Sequence, residues 1–424
     1  MTKNDVIAAA FEVWGREVYK TTSLSMLAKA LGVSKAALYR HFPSKEALLA
    51  AMRDTFCDDY ARVLKEALGK AKEAGDKKER LLVVVQALSR YFAGNWPYFV
   101  FCLFSLNKLN MEKASLRQFI AEMEKRDVFF PAFTAGFPKD KEHPDPMFLV
   151  SMFSLFQTAL FHKSCFEKRG MANAPAEEEV EQYAISAVER VRRGLGFEKA
   201  AIDAVSCERL EKLVSSEFDF AAIPPDPLLK AVAETVAAAG PWNASMEAVA
   251  GLSGLSKSGL YAHFKSKEDM LSRLFMTEFD RIAAIAEACS AHSPRWEERL
   301  YLVISSISAY LMERPDILTA LDWVRIQRME LDIAVPSRLA DFFAGLNLAV
   351  DSGISSKDVS RWSLFLIVAV LIQYSRANAG QALPSGILRK MFRFITLGIN
   401  GFNQDMGECI KNTDECAKNN EKNT

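Results

Sequence analysis

Apolar residues recur at three- and four-residue spacing through almost the whole chain, and no alternating strand pattern persists. The spacing predicts helices near Asn4–Val18, Leu24–Leu31, Lys35–His41 and Lys45–Ala67. Longer ones follow near Lys78–Tyr91, Trp96–Leu109, Ala114–Phe129, Met147–Phe166 and Glu177–Arg193. In the last, Val180, Tyr183, Ala184, Ala187, Val188 and Val191 form one stripe, and Gly194 and Gly196 provide the exit. Ala200–Glu217 also reads as helical, and Pro224, Pro225 and Pro227 then stop it. The pattern restarts at about Leu228 in the same order: a helix near Leu229–Ala238, two short helices around a turn, then long apolar helices. The last two are expected at Val359–Arg376 and Gly386–Ile399, so the predicted fold class is all-α.

The order repeats because the sequence does. LYRHFPSKE begins at Leu38 and LYAHFKSKE at Leu260, an offset of 222 from Tyr39 to Tyr261. It holds without a gap back to Ser23 and Ser245, with about half of the positions identical. Pro97 then corresponds to Pro315 and Gly196-Phe197 to Gly401-Phe402, at offsets of 218 and 205, so the second copy has shorter loops. A repeat this long means one domain present twice, not a solenoid of short units. The expected organisation is a head over 1–50, a helical body over 51–198, a linker over 199–227, a second head over 228–272, a second body over 273–403 and a tail over 404–424. The tail is rich in Asn, Lys, Asp and Glu, which predicts disorder.

Each head carries recognisable chemistry. In the first, Ser23 is placed to cap a helix whose Leu24, Leu27, Ala28 and Leu31 face a core, and Gly32 supplies the turn. Ser34 then caps Lys35–His41. Two short helices joined by a glycine turn are helix-turn-helix spacing, which puts the second helix in the DNA major groove. From Lys20 to Lys45 the charged side chains are Lys20, Lys29, Lys35, Arg40 and Lys45, with no carboxylate. The whole chain is balanced at 53 Lys+Arg against 53 Asp+Glu, so this excess is local and marks a phosphate-facing surface. Leu38 and Phe42 point inward, while Tyr39 and His41 are placed to reach phosphate oxygens. Ser44 caps the next helix and sets Lys45 beside a cluster of backbone N–H groups, itself a phosphate site.

The pattern Gly32-Val33-Ser34-Lys35, Leu38-Tyr39-Arg40-His41-Phe42 and Ser44-Lys45-Glu46 resembles the DNA-binding domain of TetR-family transcriptional regulators. Gly254-Leu255-Ser256-Lys257, Leu260-Tyr261-Ala262-His263-Phe264 and Ser266-Lys267-Glu268 resemble a second one. The resemblance covers about the first fifty residues of each copy; beyond that it extends only to helix count and order. It implies that each unit has a three-helix DNA-binding head and a larger body for ligand binding and dimerisation. By position Tyr39, His41 and Lys45, with Tyr261, His263 and Lys267, match the family's phosphate contacts. Ser34, Lys35, Ala36 and Ala37, with Arg40, face bases, and Ser256, Lys257 and Ser258 are the second copy's candidates. The family pairs through its last two body helices. Here both partners lie in one chain, so the expected state is a monomer with internal pseudo-two-fold symmetry.

The second head departs from the pattern. Glu247 enters it, Ala262 replaces Arg40, and Gly259 lies in the recognition helix, where it costs roughly 1 kcal/mol relative to Ala. Its first helix lacks counterparts of Phe11 and Trp14. A weaker or less selective half-site contact is expected there.

Other classes recede. MTKNDVIAAAFE lacks the charge and apolar run of a secretory signal, and the most apolar runs fall short of the roughly 18 residues a membrane span needs, so a cytoplasmic protein with no membrane partner is expected. The seven scattered cysteines form no CxxC pair and read as small buried hydrophobes. His41 and His263 have no His or Cys at helical spacing beside them, so neither a metal nor another cofactor is implied. No nucleophile triad, phosphate-cradling glycine loop or apolar carboxylate pair argues for an enzyme. The first body is rich in aromatics, and Trp96, Phe104, Phe133 and Phe153 with Gln157 and His162 are candidates to hold a small apolar effector, although ordinary core explains them too. Asp322, Arg325 and Arg328 read as a solvated face. The function expected is a DNA-binding regulator, a repressor released by that effector, which grips an imperfectly palindromic operator in double-stranded DNA. The rivals are a helical small-molecule-binding protein or enzyme with degenerate heads, and a protein-interaction module.

Overall fold

The computed structural model describes residues 2–16, 24–111, 121–128, 146–170, 174–240, 243–326, 341, 344, 356–378 and 381–402. Among these every regular element is helical. The first copy contains α1 (Lys3–Arg16), α2 (Leu24–Ala30), α3 (Lys35–His41), α4 (Lys45–Ala71), α5 (Lys77–Gly94), α6 (Trp96–Met111), α7 (Pro146–Arg169) and α8 (Glu177–Arg193). Next come α9 (Lys199–Asp203) and α10 (Cys207–Glu217). The second copy contains α11 (Pro227–Ala239), α12 (Met246–Ser253), α13 (Lys257–His263), α14 (Lys267–Ser290), α15 (Trp296–Met312), α16 (Pro315–Ile326), α17 (Ser356–Ala377) and α18 (Ser385–Leu397), closed by a 3-10 turn over Gly398–Gly401. The all-α fold, with its helix order repeated in a second copy, follows the sequence pattern.

Packing divides the chain into two compact units. The first draws on Met1–Thr134 and Ser154–Glu189, the second on Ala135–Phe153 and Arg190–Asn403. In the first, α4 buries Leu48, Met52, Phe56, Tyr60 and Leu64, the four-residue repeat of one helix face, and packs on α5. The head is fastened from below. Phe11 of α1 meets Tyr98 and Phe101 of α6 at ring-centroid distances of 4.4 and 5.2 Å, and Phe56 meets Phe101 at 5.5 Å. The α8 stripe is buried at Val180, Tyr183, Ala184, Ala187 and Val191. Glu177–Glu179 in its first turn and Arg190, Arg192 and Arg193 in its last complement the helix dipole. Ala93 and Phe161 pack on this stripe, the Tyr183 and Thr158 hydroxyls bond at 2.8 Å, and Arg90 pairs with Glu181.

In the second unit α11 packs on α16, and α14 on α15. Trp362, Tyr301, Tyr310, Phe275, Phe392 and Phe394 fill the core. The buried Glu278 carboxylate accepts hydrogen bonds from the Tyr310 hydroxyl at 2.7 Å and Arg281 at 2.8 Å, which offset its desolvation. The ends of α8 and α18 cross closely within this unit. The Leu195 N–H donates to the Ile395 carbonyl at 2.8 Å and the Phe197 N–H to that of Thr396 at 3.2 Å. Gly194 and Gly398 both have positive φ (59° and 61°); Gly194 faces the backbone of Phe394, Ile395 and Gly398, and Gly398 that of Val191 and Arg192. Phe153 of α7 stacks on Trp362 at 4.2 Å, and Phe197 on Trp296 at 3.9 Å.

Three expectations need correction. The helix over Ala200–Glu217 is two helices, α9 and α10, broken at 204–206. Its segment is packed, not loose: Leu210 and Val214 are buried, and Arg209 pairs with Glu298 at 2.7 Å and Asp203 with Arg393 at 2.6 Å. Asp322 is not on a solvated face; it is buried and pairs with Arg376 at 3.0 Å. The Arg325 side chain and Arg328 lie outside the described residues. The helix expected to reach Phe129 ends at 124, where Asp127 takes a positive φ of 52°; its earlier part lies outside the described residues, as do Ser23 and the tail.

Candidate nucleic-acid interface

The two heads are built alike. In the first, Leu24, Leu27 and Ala28 bury α2, and Leu38 and Phe42 anchor α3. Gly32 turns the chain at φ 65° with an open space where a Cβ would stand, so only its backbone conformation demands glycine. The Val33 N–H closes the turn on the Ala28 carbonyl at 2.9 Å. Ser34 Oγ accepts from the Ala37 N–H, and Ser44 Oγ from that of Ala47, both at 3.1 Å. In the second head Ser245, Ser256 and Ser266 cap α12, α13 and α14, Gly254 turns at φ 69°, and Leu260 and Phe264 are the buried anchors.

With the anchors fixed, the other side of each recognition helix faces solvent. Ser34, Lys35, Ala36, Tyr39 and Arg40 are exposed, and Ala37, His41 and Lys45 are half-buried. Tyr39 stays 42% exposed and Tyr261 48%, so these two rings lie outside the core. Lys35 Nζ lies 5.7 Å from the Tyr39 ring centroid, a cation–π arrangement. On the second head Ser256, Lys257, Ser258, Tyr261 and His263 are exposed and Lys267 is half-buried. Partial desolvation lowers the pKa of Lys45 and of Lys267 alike, the same environment at equivalent positions.

The heads differ in charge. Lys257 donates to Glu247, an ion pair across the two helices of the motif that raises the lysine pKa and lowers that of the carboxyl. Sequence reading placed Glu247 in the head but missed this contact, because the partners are ten residues apart on separate helices. Gly259 occupies the third position of α13, where its N–H donates to Ser256 Oγ at 3.0 Å. It therefore sits in the capped first turn, and the full interior-helix cost of glycine does not apply.

Among the effector candidates, the described contacts bring Trp96 and His162 together. Trp96 and His162 meet at 4.7 Å in the first unit, where the buried His162 ring also neighbours Phe99 and Phe166, and its Nε2 lies 2.9 Å from the Phe92 carbonyl. Gln157 and Phe153 are both buried and lie one turn apart on α7. The Phe104 side chain and Phe133 lie outside the described residues. Among the described residues no cluster of metal-binding side chains occurs, and no helix is long and apolar enough to cross a membrane.

Two capped, glycine-turned helix pairs with outward basic and aromatic side chains define a helix-turn-helix protein. The sequence profile of the bacterial regulatory proteins of the tetR family matches residues 6–52 and again 228–274. Over 60 residues the chain is 38% identical to the uncharacterized HTH-type transcriptional regulator YuxN of Bacillus subtilis (strain 168), a match spanning 14% of this chain and 21% of that relative. Both heads match the tetR-type DNA-binding domain, which occurs twice in tandem in this chain.

Proposed function

We propose that this protein is a transcriptional regulator that binds double-stranded DNA and brings two heads to one operator from a single chain. The observation that carries the reading is the pair of tetR-type recognition helices, each anchored by a buried Leu and Phe and each turning an exposed Tyr and Lys to solvent. Tyr39, His41 and Lys45, with Tyr261, His263 and Lys267, hold phosphates; Ser34, Lys35, Ala36, Ala37 and Arg40 read bases, with Ser256, Lys257 and Ser258 opposite them in the second half-site. The heads differ at Ala36/Ser258, Ala37/Gly259, Arg40/Ala262 and Pro43/Lys265, so the operator is an imperfect palindrome. Its half-sites lie about 34–36 Å apart, or a multiple of that.

Internal pairing makes this a monomeric reader. The reading is supported by the presence of two head domains in one chain. Repression, released by a small apolar effector, completes the proposal; the aromatic surroundings of His162 support it. Such a molecule acts only by binding better to the head arrangement that does not fit DNA.

Selection of bound sequences from random duplex DNA tests the reading. It should return one asymmetric, two-part site, with an affinity that falls about 0.9 log units per log unit of salt for each phosphate contacted. No enrichment at any salt concentration overturns it. A panel of small apolar molecules that leaves the DNA complex intact overturns the effector part alone.

A further inference from the structure

The second unit holds a cleft that DNA binding does not use. Its volume is about 700 Å³, and it is bounded by α10, the loop after α10, one side of α15 and the start of α18. Its apolar lining includes Val214, Phe220 and Leu388, all buried, and Met312 at its edge. Phe218 and Phe220 both line it, their ring planes 7° apart and centroids 5.9 Å apart, a stacked aromatic wall.

Charge on the lining is uneven. Four carboxylates, from Glu208, Glu211, Asp219 and Glu313, face two cations, Lys212 and Arg389. Arg389 is already committed: its Nε lies 3.2 Å from Glu211 and its Nη2 3.6 Å from Glu208. Glu211 is likewise engaged, by Arg389 and by the Tyr301 hydroxyl. Asp219 and Glu313 remain as exposed carboxylates at the rim beside the aromatic wall. Carboxylates on the rim attract a cation, and the apolar wall rewards a body that leaves water. Lys212 offsets one of these charges, and an anion of the same shape still meets a net negative lining.

We propose that this cleft binds a lipophilic organic cation, its apolar body against Val214, Phe220 and Leu388 and its charge facing Asp219 and Glu313. The site does not depend on the DNA-binding reading. It also differs in place and in ligand charge from the aromatic surroundings of His162.

Two ions of equal shape and opposite charge test it on the full chain by isothermal titration: tetraphenylphosphonium and tetraphenylborate. The phosphonium should bind saturably, one ion per chain, and the borate at least about tenfold more weakly. Asp219→Asn with Glu313→Gln should weaken the phosphonium by about tenfold, the scale of two partly screened charge contacts, without strengthening its preference over the borate. The Asn keeps an acceptor for the Ala222 N–H that Asp219 now accepts at 3.2 Å, and both positions are exposed, so the fold should survive. Ser215→Trp, which fills the cleft from its exposed rim, should abolish binding. Absence of phosphonium binding, equal binding of both ions, or binding unchanged in both variants overturns the proposal.

Discussion

Replacing Gly194 by alanine puts the crossing of α8 and α18 under direct strain. A Cβ at 194 would stand 2.5 Å from the Gly398 nitrogen, 2.5 Å from the Ile395 oxygen and 2.8 Å from the Phe394 oxygen. All three are backbone atoms, so no side chain can rotate away. The positive φ of 59° itself costs an L-residue about 1–2 kcal/mol. Relief of the overlap requires the strands of backbone to part, which weakens the Leu195 and Phe197 N–H bonds, each worth about 1 kcal/mol net. With both bonds lost, the sum is about 3–4 kcal/mol from the second unit. Gly398→Ala should be at least as damaging. Its φ of 61° and ψ of −146° lie near a region open essentially to glycine alone, and its Cβ would overlap the Val191 carbonyl oxygen. Gly196→Ala is the control: φ is 78°, but nothing lies within 4 Å of the added carbon, so only the backbone term of about 1–2 kcal/mol applies. Urea unfolding of the full chain, followed by circular dichroism, measures all three. A Gly194→Ala midpoint no lower than that of Gly196→Ala would refute the crossing.

Three further outcomes follow from the same geometry. Glu247→Gln frees Lys257 of its partner, so the slope of log affinity against log salt should steepen by up to about 0.9 for a site containing the second half, and Lys257→Ala should matter more in that background than in the parent; equal effects in both would remove the ion pair from the account. Asp322→Ala removes the buried 3.0 Å partner of Arg376, and should lower stability by about 1–3 kcal/mol, less than for a fully enclosed pair because Arg376 keeps 34% exposure; an unchanged urea midpoint would contradict the burial of Asp322. Burial pushes the Cys57 and Cys102 thiols up to about 12 and Cys289 to about 11 from an ordinary value of 9.0. Their neutral form is therefore favoured by folding: this stability is present below pH 9 and lost as pH rises from about 9 towards 12, and at pH 8 the three should resist alkylation until urea unfolds the chain, as peptide mapping would reveal.

The heads were legible because their determinants are local. A serine cap, a positive-φ glycine and an anchor pair four residues apart specify two short helices without reference to the rest of the chain. What escaped notice depended on distant partners. Asp322 looks solvated until Arg376, 54 residues on, is folded against it. The break between α9 and α10 had a faint signal: the buried residues run Ile202, Val205, then Leu210 and Val214, and the five-residue step is too long for one continuous helix face. The cleft had no sequence signal at all, since its walls come from three helices that only packing brings together. The resemblance of the second head to the first concealed the Glu247–Lys257 pair, because identity at Lys35 and Lys257 says nothing about what each lysine touches.

The central claim is that one chain presents two unequal heads to one piece of DNA. Hydroxyl-radical footprinting of a selected duplex, with native mass spectrometry of the same complex, tests it most directly. One chain per duplex is expected, with two protected stretches about 34–36 Å apart, or a multiple of that, the one under the second head weaker and lost first as salt rises. One protected stretch per chain, or two chains on every duplex, would contradict it.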